Sequence, residues 1–474
     1  MAYHLTGDFQ KDSEYFNRKL GTDVSFDVIF HPFVLGGRKA GLYQIDGTAK
    51  DSLIERILAK LLETRAEEMP AGPGAFVDQL LPYGQVSLLK EEEEIVTTIL
   101  MGMPCLLIEG YREVIVMDLR SFPERGVDEP EKDRVMRGSR DGFSERLTCN
   151  TALIRRRIRD PRLRMEKLQV GKRSHTDVAL IYVDDRVDKE LLGRIKDRLN
   201  RLEVDALSMN QESLAECLFP YKWCNPFPKF KFSERPDTTA AHLLEGNLVV
   251  LVDNSPSAMI LPASVFDIVE QADDYYFPPL TGTYLRMSRF MTALVTLFLT
   301  PLFLLFVNHP QWLPGFLQFT ALTDPVNIPV FWQLLILEFA VDGMRLAALS
   351  TPNMLSTPLS IIAGISMGEY AVSSGWFNAE SMLYMAFVTV ANYTQTSFEL
   401  GYALKFMRLI LLILTELFSL WGMIGGLIFI GIVIAGNKTI AGKSYIYPLL
   451  PFSWSALKER LFRRRISFQD SKNH

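Results

Sequence analysis

The chain has 474 residues, a formal net charge of −5 and a mean hydropathy of +0.10. This length is sufficient for about three domains, and the small net charge gives no sign of a nucleic-acid partner. The apolar excess is local, because residues 1–285 are charged and rich in turn residues whereas residues 290–435 contain long apolar runs. The composition therefore predicts a soluble half followed by a membrane half.

The cysteines and histidines form no recognisable framework. The four cysteines (Cys105, Cys149, Cys217 and Cys224) lack CxxC spacing, and the six histidines are scattered. We therefore expect no disulfide framework, no metal site and no cofactor. The soluble half also lacks a GxGxxG loop, a P-loop and a nucleophile elbow, so we do not expect an enzyme.

The soluble half predicts an α+β fold with two cytosolic α/β subdomains, residues 1–125 and 126–284. In the first, residues 51–65 have helical spacing behind Asp51, which predicts an amphipathic helix that Asp51 caps. Residues 94–118 contain three apolar runs separated by turn residues, which predicts an antiparallel meander, and the acidic run 91–94 is typical of a solvated turn.

A linker rich in proline and charge, residues 121–132, precedes the second subdomain. There we expect helices at 142–160, 188–202 and 264–271, strands at 163–170 and 177–183, and a hairpin of residues 248–253 and 258–261. Asp253, Asp273 and Asp274 could bind a cation, but turn and helix-end roles fit better because no spaced ligand set accompanies them.

Residues 285–450 predict an α-helical multi-pass domain with four to six membrane segments. Five runs are candidates: 290–307, 329–349, 355–372, 381–391 and 409–435. The N-terminal residues do not form a signal peptide and the tail 451–474 is basic, so both ends are expected on the cytoplasmic side. The basic residues Lys458, Arg460 and 463–465 predict contact with anionic lipid.

Two cytoplasmic ends require an even number of crossings, and five candidates do not provide it. Three explanations stay open: run 329–349 lies along the interface, run 355–372 is too short to span, or run 409–435 is two pieces. We favour the first, because Glu338, Asp342 and Arg345 lie on one stripe of 329–349 and must face water, a partner or a pore.

Run 355–372 is the leading candidate for a pore helix. Ser360, Gly364 and Gly368 lie four residues apart and form a small-residue seam suited to helix packing. The neighbouring stripe contains Ile361, Ile365 and Glu369, with Ile362 beside them. Such a stripe would build an apolar constriction with a charge at one mouth, although Glu369 could also lie simply at the water interface.

Several long motifs resemble the A subunits of GerA-type spore germination receptors. They are RGSRDGFSERLTCNTALIRRRIRDPRLR at 137–164, SERPDTTAAHLLEGNLVVLVDNSPSAMILP at 233–262, DDYYF at 273–277, LRMSRF at 285–290 and YIYPLLPFSW at 445–454. The start MAYHLTGDFQ and residues 265–286 most resemble one branch of that family. The similarity covers nearly the whole chain.

The resemblance implies a multi-pass protein of the spore inner membrane, with its N-terminal half and C-terminal tail on the spore-core side. It also implies a homo-oligomeric ring, for example a pentamer, that passes monovalent cations together with another integral membrane germination subunit. In that family a paired Glu and Arg precede the pore helix, which here correspond to Glu338, Asp342 and Arg345. Glu369 stands where a glutamine is common.

Two functions from different classes follow. The first is a pore subunit in which Ile361, Ile362 and Ile365 gate while Glu369, Glu338 and Asp342 attract cations. The alternative is a non-conducting scaffold or signalling subunit that docks partners through a basic face. That face would consist of Arg155, Arg156, Arg157, Arg159, Arg162 and Arg164. A nutrient receptor is a weaker third interpretation, because no convergent pocket is visible.

Overall fold

The computed structural model describes residues 3–81, 85–121, 135–219, 225–322, 325–350, 361–362 and 364–462. Its contacts divide into two compact units. Unit 1 comprises residues 1–221 and 230–262, and unit 2 comprises residues 222–229 and 263–474. The two predicted subdomains correspond to two sheets inside unit 1, whereas residues 263–284 belong to unit 2. Most of the predicted linker lies outside the described residues.

The first sheet of unit 1 has five antiparallel strands in the order β1-β2-β4-β5-β3. The strands are β1 (Val28–Leu35), β2 (Arg38–Ile45), β3 (Val86–Leu89), β4 (Cys105–Ile108) and β5 (Val114–Met117), and the helices are α1 (Phe9–Leu20), α2 (Asp51–Leu62), α3 (Pro73–Leu80) and α4 (Glu92–Leu100). Both faces are covered. Successive residues Leu42 and Tyr43 therefore belong to different core clusters.

The second sheet repeats this arrangement in the order β6-β7-β9-β10-β8. Its strands are β6 (Leu163–Val170), β7 (Thr176–Val183), β8 (Lys231–Ser233), β9 (Leu248–Val252) and β10 (Ala258–Leu261), and its helices are α5 (Leu147–Arg157), α6 (Lys189–Asn200), α7 (Asn210–Leu218) and α8 (Pro236–Leu244). Each half of unit 1 thus follows the sequence helix, two strands, two helices, strand, helix, two strands. The strands and helices predicted for the second subdomain are confirmed.

Two predictions for the first subdomain are wrong. Residues 94–100 are not a strand but part of α4, because Ile95, Ile99 and Leu100 recur on one buried face. The acidic run is the first turn of α4, where carboxylates favour the helix N-terminus. A hydrogen bond from Tyr15 holds the pKa of Glu92 at about 2.

The α2 helix is confirmed, but Asp51 is its first residue and not its cap. The N-cap is Lys50, which makes no side-chain capping hydrogen bond. Asp51 instead places its carboxylate in the first helical turn, where its negative charge interacts favourably with the positive end of the helix dipole.

Arg155 joins the two sheets of unit 1. Its Nε lies 2.7 Å from Asp27 Oδ2 and its Nη2 lies 3.2 Å from Asp27 Oδ1, with both side chains almost fully buried. The same guanidinium donates to the Leu163 carbonyl at 3.2 Å, where β6 begins. A backbone hydrogen bond from Phe26 to Met165, 3.0 Å long, runs beside this pair.

Most arginines of the predicted basic face have partners within unit 1, and Arg155 is buried. Arg157 donates to Asp141, Arg162 to Asp160 and Asp185, and Arg164 to the backbone of Leu20. These arginines therefore serve contacts within unit 1, and docking of a partner through the exposed members of the set stays a prediction.

Replacing Arg155 with Met should destabilise unit 1, because Asp27 would remain buried without its cation. Breaking such a pair costs about 3–5 kcal/mol, whereas Arg162→Met, at an exposed pair, should cost at most about 1 kcal/mol. Thermal unfolding of the full-length protein in detergent measures both. Equal melting temperatures for the two variants would contradict the role given to Arg155.

Unit 2 is helical. Its helices are α9 (Val265–Val269), α10 (Asp273–Tyr276), α11 (Pro279–Asn308), α12 (Val330–Ser350), α13 (Ala379–Tyr393), α14 (Phe398–Ala435) and α15 (Trp454–Leu461). Between α12 and α13 the described residues 361–362 and 364–365 are helical, Ser366–Tyr370 is a π-helix and Ala371–Ser373 is α-helical. Among described residues, α11 and α14 are long and apolar enough to cross a membrane.

The first two long helices of unit 2 run in opposite directions. We call the end that contains α9 and α10 the entry end, and the other the far end. At the entry end Arg286 of α11 contacts Glu270, and at the far end Asn308 donates to Glu416 at 3.1 Å. The first turns of α12 pack on the far part of α11 through Leu334 and Phe303. Its chain therefore returns toward the entry end.

The next segments continue this alternation. The residues that follow the π-helix reach the far end, where Asn327 donates to the Gly375 carbonyl and Gln333 hydrogen-bonds Asn378. From there α13 returns, and Tyr393 in its last turn lies beside Arg345 of α12. Helix α13 thus runs in the same direction as α12, and residues 398–418 lead back to the far end, where Glu416 contacts Asn308.

The long helix α14 reverses direction at Ser419. This residue has φ 52° and ψ −128°, which is not helical. A Cβ atom built on Gly422 would lie 1.8 Å from the Leu414 carbonyl oxygen, and one on Gly426 would lie 2.6 Å from Leu411 Cδ1. Residues so far apart along one continuous helix could not approach so closely. Residues 398–418 and 420–435 are therefore two antiparallel limbs.

This reversal is the feature that the third explanation for the odd count requires. The predicted run 409–435 belongs to two pieces, and α12, α13 and residues 420–435 run opposite to α11 and residues 398–418. Helix α11 begins at the entry end, and residues 420–435 end there.

Gly422 should not tolerate a side chain. Gly422→Ala places a methyl group against the Leu414 backbone, which cannot move without separating the limbs, whereas Gly431→Ala meets open space and should match the parent or exceed its stability by about 0.5–1 kcal/mol. Size-exclusion profiles after heating in detergent compare the two. A Gly422→Ala protein as heat-resistant as Gly431→Ala would show that the limbs do not pack this closely.

Candidate functional site: a buried charge cluster and an exposed apolar segment

The charges of α12 meet the charges of the first α14 limb. Glu338 and Asp342 are one helical turn apart on α12, and Lys405 and Arg408 are three residues apart on residues 398–418. Such spacings place both members of each pair on one face of their helix. The polar stripe of α12 therefore faces oppositely charged residues within unit 2.

Arg408 and Glu338 form a two-pronged ion pair. Arg408 Nε lies 2.6 Å from Glu338 Oε1, and Nη2 lies 2.8 Å from Oε2, while the side chains are only 2% and 3% exposed. The remaining Arg408 Nη1 donates to the Thr296 carbonyl of α11 at 2.8 Å. One guanidinium thus holds three segments together.

Lys405 extends the pair toward the surface. Its ammonium group donates to the Glu338 carbonyl at 3.1 Å, lies 3.4 Å from Glu338 Oε2 and hydrogen-bonds the Asp342 carboxylate. The Asp342 side chain is 30% exposed, so the cluster opens on one side. Two carboxylates and two cations neutralise each other, which is how charges are tolerated in an apolar environment.

Arg345 is the third charge of the stripe and has a different environment. Its guanidinium carbon lies 4.8, 5.3 and 5.2 Å from the ring centroids of Tyr393, Phe398 and Tyr402. These are cation–π distances, so the rings of α13 and α14 hold this cation. A narrow cleft between the three helices is lined by the charged cluster, Arg345 and the polar residues Thr389 and Asn392.

The segment predicted to line the pore is exposed in the single chain. Ile361, Ile362 and Ile365 are 57%, 61% and 47% exposed, and Glu369 is exposed as well. A Cβ on Gly364 or Gly368 would meet nothing within 4 Å. Ser360 and the start of the predicted helix lie outside the described residues. The described part is helical, as predicted, with a π-helical turn at Ser366–Tyr370.

Comparison with known sequences identifies the family of this chain. The sequence model described as "Bacillus/Clostridium GerA spore germination protein" matches residues 14–474. This protein belongs to the GerA spore germination protein family. The motifs that suggested the family are thereby confirmed.

Relatives of this GerA-family protein are similar over most of their length. Stage V sporulation protein AF of Bacillus subtilis is 34% identical over 96% of this chain and 92% of its own, which is the branch that the start and residues 265–286 indicate. Spore germination protein B1 of the same organism is 27% identical over 97% and 95%, respectively. These relatives are germination and sporulation proteins.

A solved structure covers part of the GerA-family chain. The crystal structure of the N-terminal domain of the A subunit of the Bacillus megaterium spore germinant receptor GerK3 is 22% identical, with a TM-score of 0.43. It aligns with 56% of this chain and 98% of that one.

The structure separates the predicted pore residues of this GerA-family protein into two groups. Glu338 and Asp342 lie in the charge cluster, whereas Ile361, Ile362, Ile365 and Glu369 lie on the exposed segment. Their role in lining a pore, and the packing role of Ser360, Gly364 and Gly368, stay predictions.

Sequence reasoning missed the partners of the charged stripe. The resemblance pairs the acids of α12 with Arg345, but Arg408 and Lys405 fill that role. The available signal was their spacing of three, which places them on one face. It was overlooked because the apolar run appeared to begin at Leu409, whereas the helix begins at Phe398.

Glu338→Gln should destabilise unit 2 of this GerA-family protein by about 3–5 kcal/mol, because Arg408 would stay buried without its carboxylate. The double variant Glu338→Met with Arg408→Met removes both charges and should recover much of this loss. Retained monomeric protein after heating in detergent measures each variant. If the double variant is as unstable as the summed losses of the single variants Glu338→Met and Arg408→Met, the side chains do not act as a pair.

Proposed function

We propose that this protein is a membrane subunit of a spore germination complex that forms, with further copies of itself, a cation-conducting pore in the spore inner membrane. Membership of the GerA family supports the role in germination. The resemblance to stage V sporulation protein AF favours a protein that promotes or amplifies germination.

The antiparallel helices of unit 2 support a multi-pass topology, for which we propose six segments: α11, α12, residues 361–373, α13 and the two limbs of α14. Each limb of α14 is about 24–32 Å long at the helical rise, which is close to the thickness of a hydrocarbon core. With an even number of crossings, the residues before α11 and the residues after α14 lie on the same side of the membrane. We assign this side to the cytoplasm, which is the spore core. The neutralised charge cluster removes the main objection to placing α12 inside the bilayer.

The observation that carries the pore assignment is the exposed segment 361–370. Three isoleucines and two open glycines lie on it without partners among the described residues of the chain. Small residues allow a second helix to approach closely, and an apolar stripe beside that seam would face the axis of a ring. Several copies would thus place Ile361, Ile362 and Ile365 at a constriction that closes by dewetting.

Glu369 is the acid that the segment presents to solvent. Its exposed side chain forms no ion pair among the described residues, in contrast to Glu338 and Asp342. We therefore assign cation attraction to Glu369 at one mouth, while Glu338 and Asp342 contribute a field from the cluster. Another integral membrane germination subunit is the expected partner, and anionic lipid contacts the basic tail.

Widening the constriction should make the resting pore leak. Ile365→Ala widens the apolar ring and lowers the cost of wetting it, so potassium flux into proteoliposomes should rise several-fold above the parent protein. Ile432→Ala is the matched control, because this isoleucine is 65% exposed but lies on the second α14 limb. Its flux should equal that of the parent.

The same assay distinguishes the pore from the scaffold. A scaffold would leave Ile361→Ala and Ile365→Ala proteoliposomes as tight as the parent, even when the purified complex assembles normally. Flux and assembly are therefore measured on the same preparation. Vesicles that stay tight although the complexes are intact would contradict the pore assignment.

A further inference from the structure

The segment that follows the last limb of α14 exposes a contiguous group of large apolar side chains. The residues before it are fixed at the entry end of unit 2, since Asn437 donates to Asn225 at 3.2 Å and Val265 donates to the buried Tyr445 at 3.1 Å. Beyond this anchor point the exposed fractions are 41% for Tyr447, 43% for Leu449, 50% for Leu450, 65% for Phe452 and 65% for Trp454.

The chemistry of this group fits a bilayer interface. Single exposed apolar residues are ordinary, but a contiguous group indicates an interaction surface. Aromatic rings next to leucines suit the boundary between lipid chains and water, because Trp and Tyr combine an apolar ring with one polar atom. The position agrees, since the apolar limb 420–435 ends shortly before this group and at the same end of unit 2.

The surrounding charges specify the lipid. From residue 436 to residue 465 the sequence contains three lysines, four arginines and one acid, Glu459. Lys438, Lys443 and Lys458 are exposed, and Arg460 contacts Asp267. Such an excess of positive charge beside an apolar group is complementary to a surface of anionic headgroups.

We infer that residues 446–458 form an interfacial anchor that inserts Phe452 and Trp454 among the headgroups of an anionic bilayer at the entry end of unit 2. The inference rests on the membrane placement proposed above and is independent of ion conduction. It extends the lipid contact of the basic tail to an aromatic segment that precedes that tail. Insertion of the rings, in addition to charge attraction, would fix this end of unit 2 relative to the membrane plane.

Tryptophan fluorescence of the full-length protein in lipid nanodiscs tests the anchor. The emission of Trp454 is the difference between the parent and Trp454→Phe, and that of Trp421, 78% exposed beside the hairpin turn, is the difference from Trp421→Phe. Lipids brominated near the headgroup should remove most of the Trp454 emission, while iodide in the water should not. Replacing part of the phosphatidylcholine by phosphatidylglycerol should increase the lipid quenching, and high salt should reverse this increase.

Each other outcome overturns a defined part of the inference. Quenching of Trp454 by iodide and not by lipid means that the segment lies in water. Protection from both means that a second copy or another protein covers it. Lipid quenching that does not depend on phosphatidylglycerol contradicts recognition of anionic headgroups.

The comparison with Trp421 and one further variant keep the result interpretable. If Trp421 escapes brominated lipid as well, the membrane placement fails, whereas quenched Trp421 with unquenched Trp454 rejects the anchor alone. If Trp454→Phe does not purify as folded protein, Phe452→Trp reports the same surface through the emission that it adds to the parent.

Discussion

The pairing of Arg408 with Glu338 is the constraint on which the helical unit depends. Both groups are buried, and each would be an uncompensated buried charge without the other. The pair also fixes a register, because a shift of one residue in either helix would move a charge away from its partner. Lys405 and Asp342 continue the same register one turn further. The helices of unit 2 are therefore aligned by charge where apolar packing alone would allow sliding.

Unit 1 uses the same solution in a different setting. Arg155 and Asp27 are as deeply buried as the pair in unit 2, and they connect two sheets instead of two helices. In both units one arginine uses its remaining N–H groups on backbone carbonyls, Leu163 in one case and Thr296 in the other. The planar guanidinium suits such a role because its donors point in fixed directions.

Local periodicity was sufficient to predict α2, α6 and the strands β6, β7, β9 and β10, whereas α7, β8 and α8 were not predicted. It failed at residues 94–100, where a short run with β-branched residues fits a strand and a helix equally well. It left a break in run 409–435 as one of three alternatives and did not locate it at Ser419, since the residues on both sides are apolar and no proline marks the reversal. Tertiary pairing was out of reach, because nothing local in residues 338–342 indicates that their partners lie near residue 405.

The separation of Glu338 and Arg408 along the chain has a consequence for biosynthesis. Helix α12 leaves the ribosome long before the first limb of α14, so its two acids and Arg345 are made before their counterions and aromatic neighbours exist. Each lone charge near a bilayer centre costs roughly 2.5–3.5 kcal/mol on insertion scales. With α12 placed in the bilayer as proposed above, its stable insertion is expected to wait for residues 398–418, so that residues 361–373 and α13 would enter the membrane together with them. The order of synthesis and the order of membrane integration need not coincide.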